Sequence, residues 1–341
     1  MLHFPAIEAP TIGDGCAAQV AEGVVWLRMP IGGNLAAINV WAMADGDGWT
    51  VIDTGLHAPD TVQAWQKALA GPLASGVHRA IVTHQHPDHA GMAGWLAAHH
   101  GTALTMPPLE YYMLSVLMHD LTHGQPPELR AFYRAAGWTE AQCDKVLAGF
   151  AGYRKMVSPL PGQFRPLAAG QTVTIGPRRW DVLIGRGHAP QHALLYCEAD
   201  RLLVSGDQIL PEISSNVSVH PREPEDDPLR HWLESLAAIR RQLPEDTLVL
   251  PAHGRPFRGL HARIDALIAS HESGLLRLQE WLTGEHRAVD LFGALFRKPI
   301  TSATLPMATG ECLAHLACLH GRGQATRRRD EAGVIWWSAR A

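Results

Sequence analysis

Four side chains that can bind a metal ion lie within six consecutive positions of the sequence. Residues 84–89 read His-Gln-His-Pro-Asp-His, so three histidines and one aspartate lie close together. Although the chain contains 20 histidines in 341 residues, its histidine and aspartate frequencies give only roughly 0.003 expected occurrences of His-x-His-x-Asp-His. Chance is therefore a poor explanation. Imidazole and carboxylate together are ligands typical of zinc, with manganese or iron as competitors.

The flanking sequence predicts that this motif lies in a loop between a strand and a helix. Residues 77–83 (VHRAIVT) form a short β-branched run, and residues 91–99 (GMAGWLAAH) have apolar residues at helical spacing. In extended backbone His84 and His86 point the same way, while the aspartate and the last histidine at the helix entrance can face elsewhere. The motif can therefore serve two adjacent metal positions. A structural zinc site would more often use cysteine, and the sequence has no Cys-x-x-Cys pair.

Four further segments give this motif a family context, because each combines a strand-like run or a glycine-rich turn with a metal-capable side chain. Together with residues 84–89, and in the same order, they resemble the motifs of the metallo-β-lactamase superfamily. The segments are 50–55 (TVIDTG), 187–192 (GHAPQH), 202–207 (LLVSGD) and 249–254 (VLPAHG).

The resemblance implies a dinuclear metal centre with seven ligands. Asp53 would orient ligating histidines by accepting their hydrogen bonds. His57 and His192 lie close to these motifs, but the seven positions already fill two sites. We expect two divalent ions, with Zn²⁺ favoured and Fe or Mn as alternatives. The first ion would be bound by His84, His86 and His188, the second by Asp88, His89 and His253, and Asp207 would bridge both.

The same resemblance implies an α/β fold, a four-layer αβ/βα sandwich in which the ligands lie on loops along one edge of two packed sheets. The sequence favours this class independently, because short apolar runs alternate with helical patterns. The strand-like runs are 24–27, 37–43, 182–184, 202–205 and 248–250, and the clearest helical pattern is 229–241.

Length and composition predict two domains in a globular protein of 341 residues, 46% of them hydrophobic. We assign residues 1–285 to a catalytic domain with a helical insertion at about 107–165, and residues 286–341 to a small winged-helix-like domain. Helical patterns at 110–118, 129–136 and 140–156 define the insertion. We expect its Tyr, Met and Phe side chains mainly to pack it onto the body. Candidates for contact with an apolar substrate group are Tyr111, Tyr112 and Met118.

The last segment predicts helices at 288–296 and 308–320, then a hairpin with a polar tip at 328–332. Winged-helix units often bind DNA, and residues 327–329 are all arginine. Asp330 and Glu331 follow at once, however, and the net charge of the chain is −4. A nucleic-acid partner is therefore disfavoured, and packing or formation of a homodimer is the expected role.

The amino-terminal sequence has no basic start and no continuous apolar segment, which predicts neither a signal peptide nor a membrane partner. The five cysteines are odd in number and scattered along the chain. This pattern favours reduced thiols, and we expect a cytoplasmic protein.

The resemblance implies hydrolysis by a hydroxide shared between two metal ions, without a covalent intermediate. Asp88 would orient this hydroxide and accept its proton. We expect a small-molecule acyl substrate, a thioester or a related ester or lactone, as in the glyoxalase II-like branch, because zinc β-lactamases lack the bridging Asp207. Ala189 and Gln191 stand where that branch commonly has Thr and Gly, so the leaving group stays open.

Two other functions remain open. Some superfamily members with a winged helix are metal-dependent nucleases (phosphodiesterases), but clustered lysines and arginines would be needed for a phosphate backbone. A binding protein without catalysis is less expected, because none of the seven ligands is missing from the sequence.

Overall fold

Two β-sheets form the centre of the computed structural model, which describes residues 1–340. The first sheet has seven strands in chain order, antiparallel from the first to the fourth and parallel from the fourth to the seventh. They are β1 (Ala18–Ala21), β2 (Val24–Gly32), β3 (Ala36–Asp45), β4 (Gly48–Ile52), β5 (Val77–Ile81), β6 (Ala103–Met106) and β7 (Arg165–Pro166).

Parallel neighbours need crossover connections, and helices supply them. Helix α1 (Pro59–Ala70) connects β4 to β5, and the short α2 (Pro87–Ala90) with α3 (Ala93–His100) connects β5 to β6. Ile52 pairs with Ile81 at the carboxyl ends of β4 and β5. The residues that follow these two strands therefore emerge side by side at one edge of the sheet.

The predicted insertion between β6 and β7 is helical, as expected. It contains α4 (Pro108–His123), α5 (Pro127–Ala135) and α6 (Glu140–Gly149), followed by a 3₁₀ turn at Phe150–Met156. Tyr111 joins the two ends of the insertion, because its hydroxyl donates to the Pro161 carbonyl at 2.7 Å and its ring stacks on Phe164 at 4.0 Å. The same side chain packs against a buried cluster that includes Leu104 and Met106 of β6, and this contact attaches the insertion to the body.

The second sheet has five strands. They are β8 (Thr172–Ile175), β9 (Arg178–Gly185), β10 (His192–Cys197), β11 (Leu202–Gly206) and β12 (Leu248–Pro251). Their order in the sheet is β12-β11-β10-β9-β8. Only β11 and β12 run parallel, and α7 (Pro228–Gln242) lies between them in the chain.

Strand β10 shows how the layers are built, because its side chains alternate between two cores. Leu195 packs with strands of the first sheet, in a cluster that includes Trp41. Leu194 on the opposite face packs with Trp232 of α7, in a cluster that also contains α8 (Leu260–Trp281). The first sheet is covered on its outer face by α1 and α3. The order helices, sheet, sheet, helices is the predicted four-layer αβ/βα sandwich.

The carboxyl-terminal segment contains a 3₁₀ turn (Ala288–Leu291), α9 (Phe292–Leu295), α10 (Leu305–Gly321) and a hairpin of β13 (Ala325–Arg329) and β14 (Ile335–Ala339). Leu316 and Leu319 of α10 belong to the same hydrophobic cluster as α7 and α8. The segment therefore extends the outer helical layer and shares its core. Ala341, the last residue of the predicted second domain, lies outside the described residues.

The predicted position of the hairpin tip is wrong by two residues. Arg328 and Arg329 were expected at the tip but continue β13, where Arg328 pairs with Trp336 across the hairpin. The guanidinium of Arg328 lies 5.9 Å from the Trp336 ring centroid and also pairs with Glu285. Stacking on the ring and the ion pair stabilise the arginine in extended backbone, which its charge alone did not predict.

All five cysteines are free thiols. Among residues 1–340, no helix has both the length and the apolar composition that crossing a bilayer requires.

Replacing Leu195 tests the packing between the sheets, because this side chain is only 1% exposed. Leu195→Ala is expected to lower the free energy of unfolding by about 2–5 kcal/mol, measured by urea denaturation. Leu276→Ala is the control, since Leu276 on α8 is 62% exposed, and should change it by about 0.5 kcal/mol or less. Similar losses in both variants would contradict the assigned layers.

Candidate metal centre

The seven predicted ligands all lie along one edge of the sandwich. Their segments follow the carboxyl ends of β5, β9, β11 and β12, as the sequence predicted. They form two groups, and within each group the possible ligand atoms lie within 4.8 Å of one another. The first group is His84, His86, His188 and Asp207, and the second is Asp88, His89 and His253.

Asp207 lies between the two groups. Its Oδ2 atom is 3.3 Å from Nε2 of His188 in the first group. Its Oδ1 atom is 3.5 Å from Nε2 of both His89 and His253 in the second group. One oxygen therefore faces each group, so Asp207 lies where a carboxylate can be shared by two ions.

Asp53 and Thr83 determine which nitrogen of two histidines carries the proton. Asp53 accepts a hydrogen bond from Nδ1 of His89 at 2.8 Å, and its two oxygens lie 3.0 Å from the Thr83 hydroxyl. Because a carboxylate only accepts, Thr83 donates to Asp53 and accepts from Nδ1 of His84 at 3.0 Å. Both histidines therefore present the lone pair of Nε2 to the centre.

Two backbone carbonyls determine which nitrogen carries the proton in two more histidines. Nδ1 of His188 donates to the Asn216 carbonyl at 2.7 Å, and Nδ1 of His253 donates to the Ala37 carbonyl at 3.0 Å. A carbonyl oxygen has no proton to give, so the proton must lie on Nδ1 in both rings. Their Nε2 atoms also face inward without hydrogen.

Nitrogen lone pairs consequently converge within the first group. Nε2 of His84 lies 3.2 Å from Nε2 of His188 and 2.9 Å from Nδ1 of His86. With their protons on Nδ1, His84 and His188 have no hydrogen to place between their Nε2 atoms. The close approach is repulsive unless a positive charge lies among these atoms.

Buried polar atoms without hydrogen-bond partners lie in the second group and on the side of Asp207 that faces it. Nε2 of His89, Nε2 of His253 and Oδ1 of Asp207 are buried and have no hydrogen-bond partner among the described residues. Such atoms are costly and call for a bound group that satisfies them. Imidazole and carboxylate donors turned toward a shared space fit a divalent cation.

The protonation of the first group also favours a cation. Burial, together with the neighbouring histidines, lowers the pKa of His84 well below its usual value and that of His86 to about 3. Burial opposes the charged form of Asp207, yet the positive charge of protonated His89 and His253 holds its pKa well below the usual range. In turn, the surrounding carboxylates raise the pKa of both histidines against the effect of burial, so a bound cation would take the place of these protons. Neutral imidazoles and an ionised carboxylate are the forms that bind metal.

His192 forms a hydrogen bond with the backbone of Asp207, whereas His57 lies outside the two donor groups. Nε2 of His192 accepts a hydrogen bond from the backbone N–H of Asp207 at 3.0 Å, and its ring lies against Gly206. His57 instead lies 3.1 Å from the Lys155 carbonyl through Nδ1. Neither histidine is in the two donor groups, in agreement with the sequence interpretation.

Other supporting residues had no signal in the sequence. Asn216, whose carbonyl holds His188, donates from its side-chain amide to Glu311 of α10 at 2.8 Å. Glu110 of α4 accepts hydrogen bonds from backbone N–H groups in two ligand loops. Both contacts join segments that are distant in the chain, so neither motif spacing nor helical periodicity could reveal them.

A cavity of about 170 Å³ opens beside the first group. Its wall includes His86 and His188, and Leu109 and Met113 of α4 add apolar surface. Residues four positions apart share one face of a helix, which explains why these two side chains reach the cavity together. Three residues were predicted as candidates for substrate contact: Tyr111, Tyr112 and Met118. They are absent from the described residues that line this cavity.

Comparison with known proteins agrees with this geometry. The family model of the metallo-beta-lactamase superfamily matches residues 33–253, and a model for the metallo-beta-lactamase-like C-terminal domain matches residues 276–340. The chain belongs to the metallo-β-lactamase superfamily of metallo-hydrolases.

Individual relatives extend the likeness over nearly the whole chain. A beta-lactamase domain protein from Burkholderia ambifaria is 35% identical, with a TM-score of 0.90, and the match covers 99% of this chain and 98% of that one. A metallo-beta-lactamase family protein from Thermus thermophilus is 25% identical with a TM-score of 0.78, over 94% of this chain and 100% of that one. The probable metallo-hydrolase YqjP of Bacillus subtilis (strain 168) is 24% identical over 263 residues, 72% of this chain and 76% of that protein.

Replacing Gly206 tests the support of Asp207. Gly206 has φ +50°, and an added Cβ would lie 2.4 Å from Cε1 of His192. Gly206→Ala is therefore expected to displace His192 and to reduce bound metal after dialysis, measured by elemental analysis. Gly46→Ala is the matched control, because Gly46 has φ +66° with no atom within 4 Å of an added Cβ. It should cost about 1–2 kcal/mol of stability from the backbone alone and keep its metal. Equal metal content in both variants would contradict this role of His192.

Proposed function

We propose that this metallo-hydrolase is a dinuclear enzyme that cleaves a small-molecule acyl substrate, a thioester or a related ester or lactone. The observation that carries the proposal is the position of Asp207, with one oxygen facing each of two donor groups beside a small, partly apolar cavity. We assign the two groups to two divalent cations and expect Zn²⁺, because the donors are imidazoles and carboxylates.

When bound, two divalent ions lower the pKa of a shared water toward neutrality and polarise an acyl oxygen. The protein's own contribution is to hold the donors and to move the proton of the attacking water. His84 and His188 keep their protons on Nδ1, directed away from the reaction, through Thr83 and the Asn216 carbonyl. No serine or cysteine nucleophile is required.

Asp88 is the residue that we assign to proton transfer. Its side chain is 20% exposed, the largest exposure among Asp88, Asp207, His89 and His253. Oδ2 of Asp88 lies 3.3 Å from Nε2 of His253 and 3.6 Å from Nε2 of His89. Its other oxygen, Oδ1, is outside these contacts and can accept the proton of the attacking water.

The cavity beside the centre favours a compact acyl group over a polyanion. Its volume is below the ~300–1,000 Å³ of typical ligand pockets, so it suits part of a small molecule. Leu109 and Met113 give the cavity apolar surface. Among the described lining residues, Arg186 is the one arginine, whereas Glu223 and Asp226 are both acidic. A phosphodiester backbone would call for more positive charge.

The carboxyl-terminal segment does not favour binding of nucleic acid either. We interpret it as a winged-helix-like unit, since helices precede a two-stranded hairpin. The guanidinium groups of Arg327 and Arg328 pair with Glu225 and Glu285, and Arg327 also stacks over Trp337. These charges are partly neutralised within the protein. We infer a role in packing and, together with the free thiols, function in the reducing cytoplasm.

The proposal is tested with protein reconstituted separately with Zn²⁺, Mn²⁺ and Fe²⁺. Acyl-coenzyme A and glutathione thioesters are followed by thiol release, lactones by acid release, and RNA and bis(p-nitrophenyl) phosphate by product formation. We expect turnover of at least one acyl substrate and little salt-dependent binding of RNA. Cleavage of phosphodiesters without acyl hydrolysis would instead establish the nuclease alternative.

Asp88→Asn is expected to lower kcat by about 10²–10⁴-fold, because the amide cannot accept the proton of the attacking water. Metal content is measured in parallel and should stay at two ions per chain, since an amide oxygen can still bind. Asp207→Ala is the comparison, and it should lose metal as well as activity. Full turnover by Asp88→Asn with both ions present would exclude the assigned proton transfer.

A further inference from the structure

Glu110 is a carboxylate in the first turn of α4 that is fully buried, with 0% of its surface exposed. Its two oxygens accept hydrogen bonds from two backbone N–H groups. Oε2 accepts from Gln85 at 3.1 Å, and Oε1 accepts from Gln191 at 2.6 Å. One side chain of the helical insertion is thus bonded to two separate loops.

These two loops carry all three histidines of the first donor group. Gln85 lies between His84 and His86, and Gln191 follows His188 by three residues. The side chain of Gln191 returns a contact, because its Oε1 accepts from the backbone N–H of Leu109 at 3.1 Å. The start of α4 and the two ligand loops therefore form one hydrogen-bonded unit.

The burial of Glu110 is costly and needs an explanation. An ionised carboxylate removed from water is expensive unless it is paired. The polar contacts of Glu110 within residues 1–340 are with backbone N–H groups and include no lysine or arginine. Burial raises the pKa of Glu110 to about 7, while the two backbone donors and the nearby His188 oppose this rise. A cation among the adjacent histidines would complement its charge.

The second donor group already has a comparable support. Asp53 holds His89 through Nδ1 and also accepts from the backbone N–H of Thr83 at 2.8 Å. Asp88 adds a carboxylate to that group, whereas the first group has three imidazoles and shares only Asp207. Glu110 is the buried carboxylate that lies behind the loops of the first group.

We propose that Glu110 is a positioning residue for the first metal position, holding the loops 84–86 and 188–191 at the spacing in which their three histidines converge. This inference rests on the proposed metal centre and is independent of which acyl bond is cleaved. Glu110 acts through Gln85 and Gln191 and does not contact the ion.

Glu110→Gln is the sharpest variant, because the amide has nearly the same size but replaces one acceptor oxygen by an NH₂ donor. That donor must face one of the two backbone N–H groups, so either Gln85 or Gln191 loses its partner. We expect one of the two Zn²⁺-binding events to weaken by about 10–100-fold, and the other to change little. Stepwise affinities are measured by competition with a chromophoric chelator.

A second measurement assigns the affected position. Titration with Co²⁺ gives absorption bands that report the ligand geometry of each bound ion. Performed in the His253→Ala background, which weakens the second group, the titration isolates the first. Glu110→Gln is expected to shift or weaken these bands. Unchanged bands and affinity in that background would overturn the proposal.

Leu114→Ala is the matched control, since Leu114 lies one turn further along α4 and is also 0% exposed. It should destabilise the insertion by about 2–5 kcal/mol through lost packing. It leaves the hydrogen bonds to Gln85 and Gln191 in place, so Zn²⁺ affinity should stay close to that of the unmodified protein. If both variants lost affinity in proportion to their lost stability, Glu110 would be only a packing residue and the proposal would fail.

The two proposals fail in different ways. If the unmodified protein bound neither Zn²⁺ nor Co²⁺, the proposed function itself would be wrong. If the unmodified protein bound two ions and hydrolysed no acyl substrate, the function would need revision while the result for Glu110 would stand. Normal binding by Glu110→Gln would remove the positioning role alone.

Discussion

The metal centre depends on hydrogen bonds that point away from it. A neutral imidazole has one N–H and one lone pair, and an outside acceptor determines which nitrogen faces inward. Thr83, Asp53 and the carbonyls of Asn216 and Ala37 each bind an Nδ1–H. The lone pairs of four histidines are thereby directed into one small volume. That arrangement is electrostatically unfavourable for the protein alone and becomes favourable around cations.

The sandwich provides these acceptors because its strands end at a common edge. Asp53 follows β4 and lies in the left-handed region with φ 61°, a conformation that costs energy for most residues and is best tolerated by Asn, Asp and glycine. The strained backbone places its carboxylate between Thr83 and His89. Local strain at one strand end therefore supports the geometry of the centre, and the well-packed sheets on either side stabilise it.

The sequence predicted the donors better than their supports. His84, His86 and Asp88 share one short motif, and the other predicted ligands follow strand-like runs. Spacing and family resemblance therefore pointed to side chains that the fold brings into two groups. Glu110 and Glu311 act across separations of 81 and 95 residues, on Gln191 and Asn216, where local patterns carry no information. The layers were expected from the family resemblance, and the alternation of strand-like runs with helical patterns favoured the same fold class. The hairpin tip was misplaced because stacking on tryptophan outweighed the charge of the arginines.

The contact between Asn216 and Glu311 limits the modularity of this chain. The carbonyl that fixes the tautomer of His188 belongs to a residue whose side chain is bound by the carboxyl-terminal helix α10. That helix is accordingly an outer part of the coordination sphere, although it supplies no donor atom. Exchanging the carboxyl-terminal segment for that of a relative would transfer a similar shape, yet it would keep this support of His188 only where the new helix places an acceptor at the position of Glu311. In such a chimaera, the orientation of His188 and the identity of the carboxyl-terminal segment are coupled through Asn216.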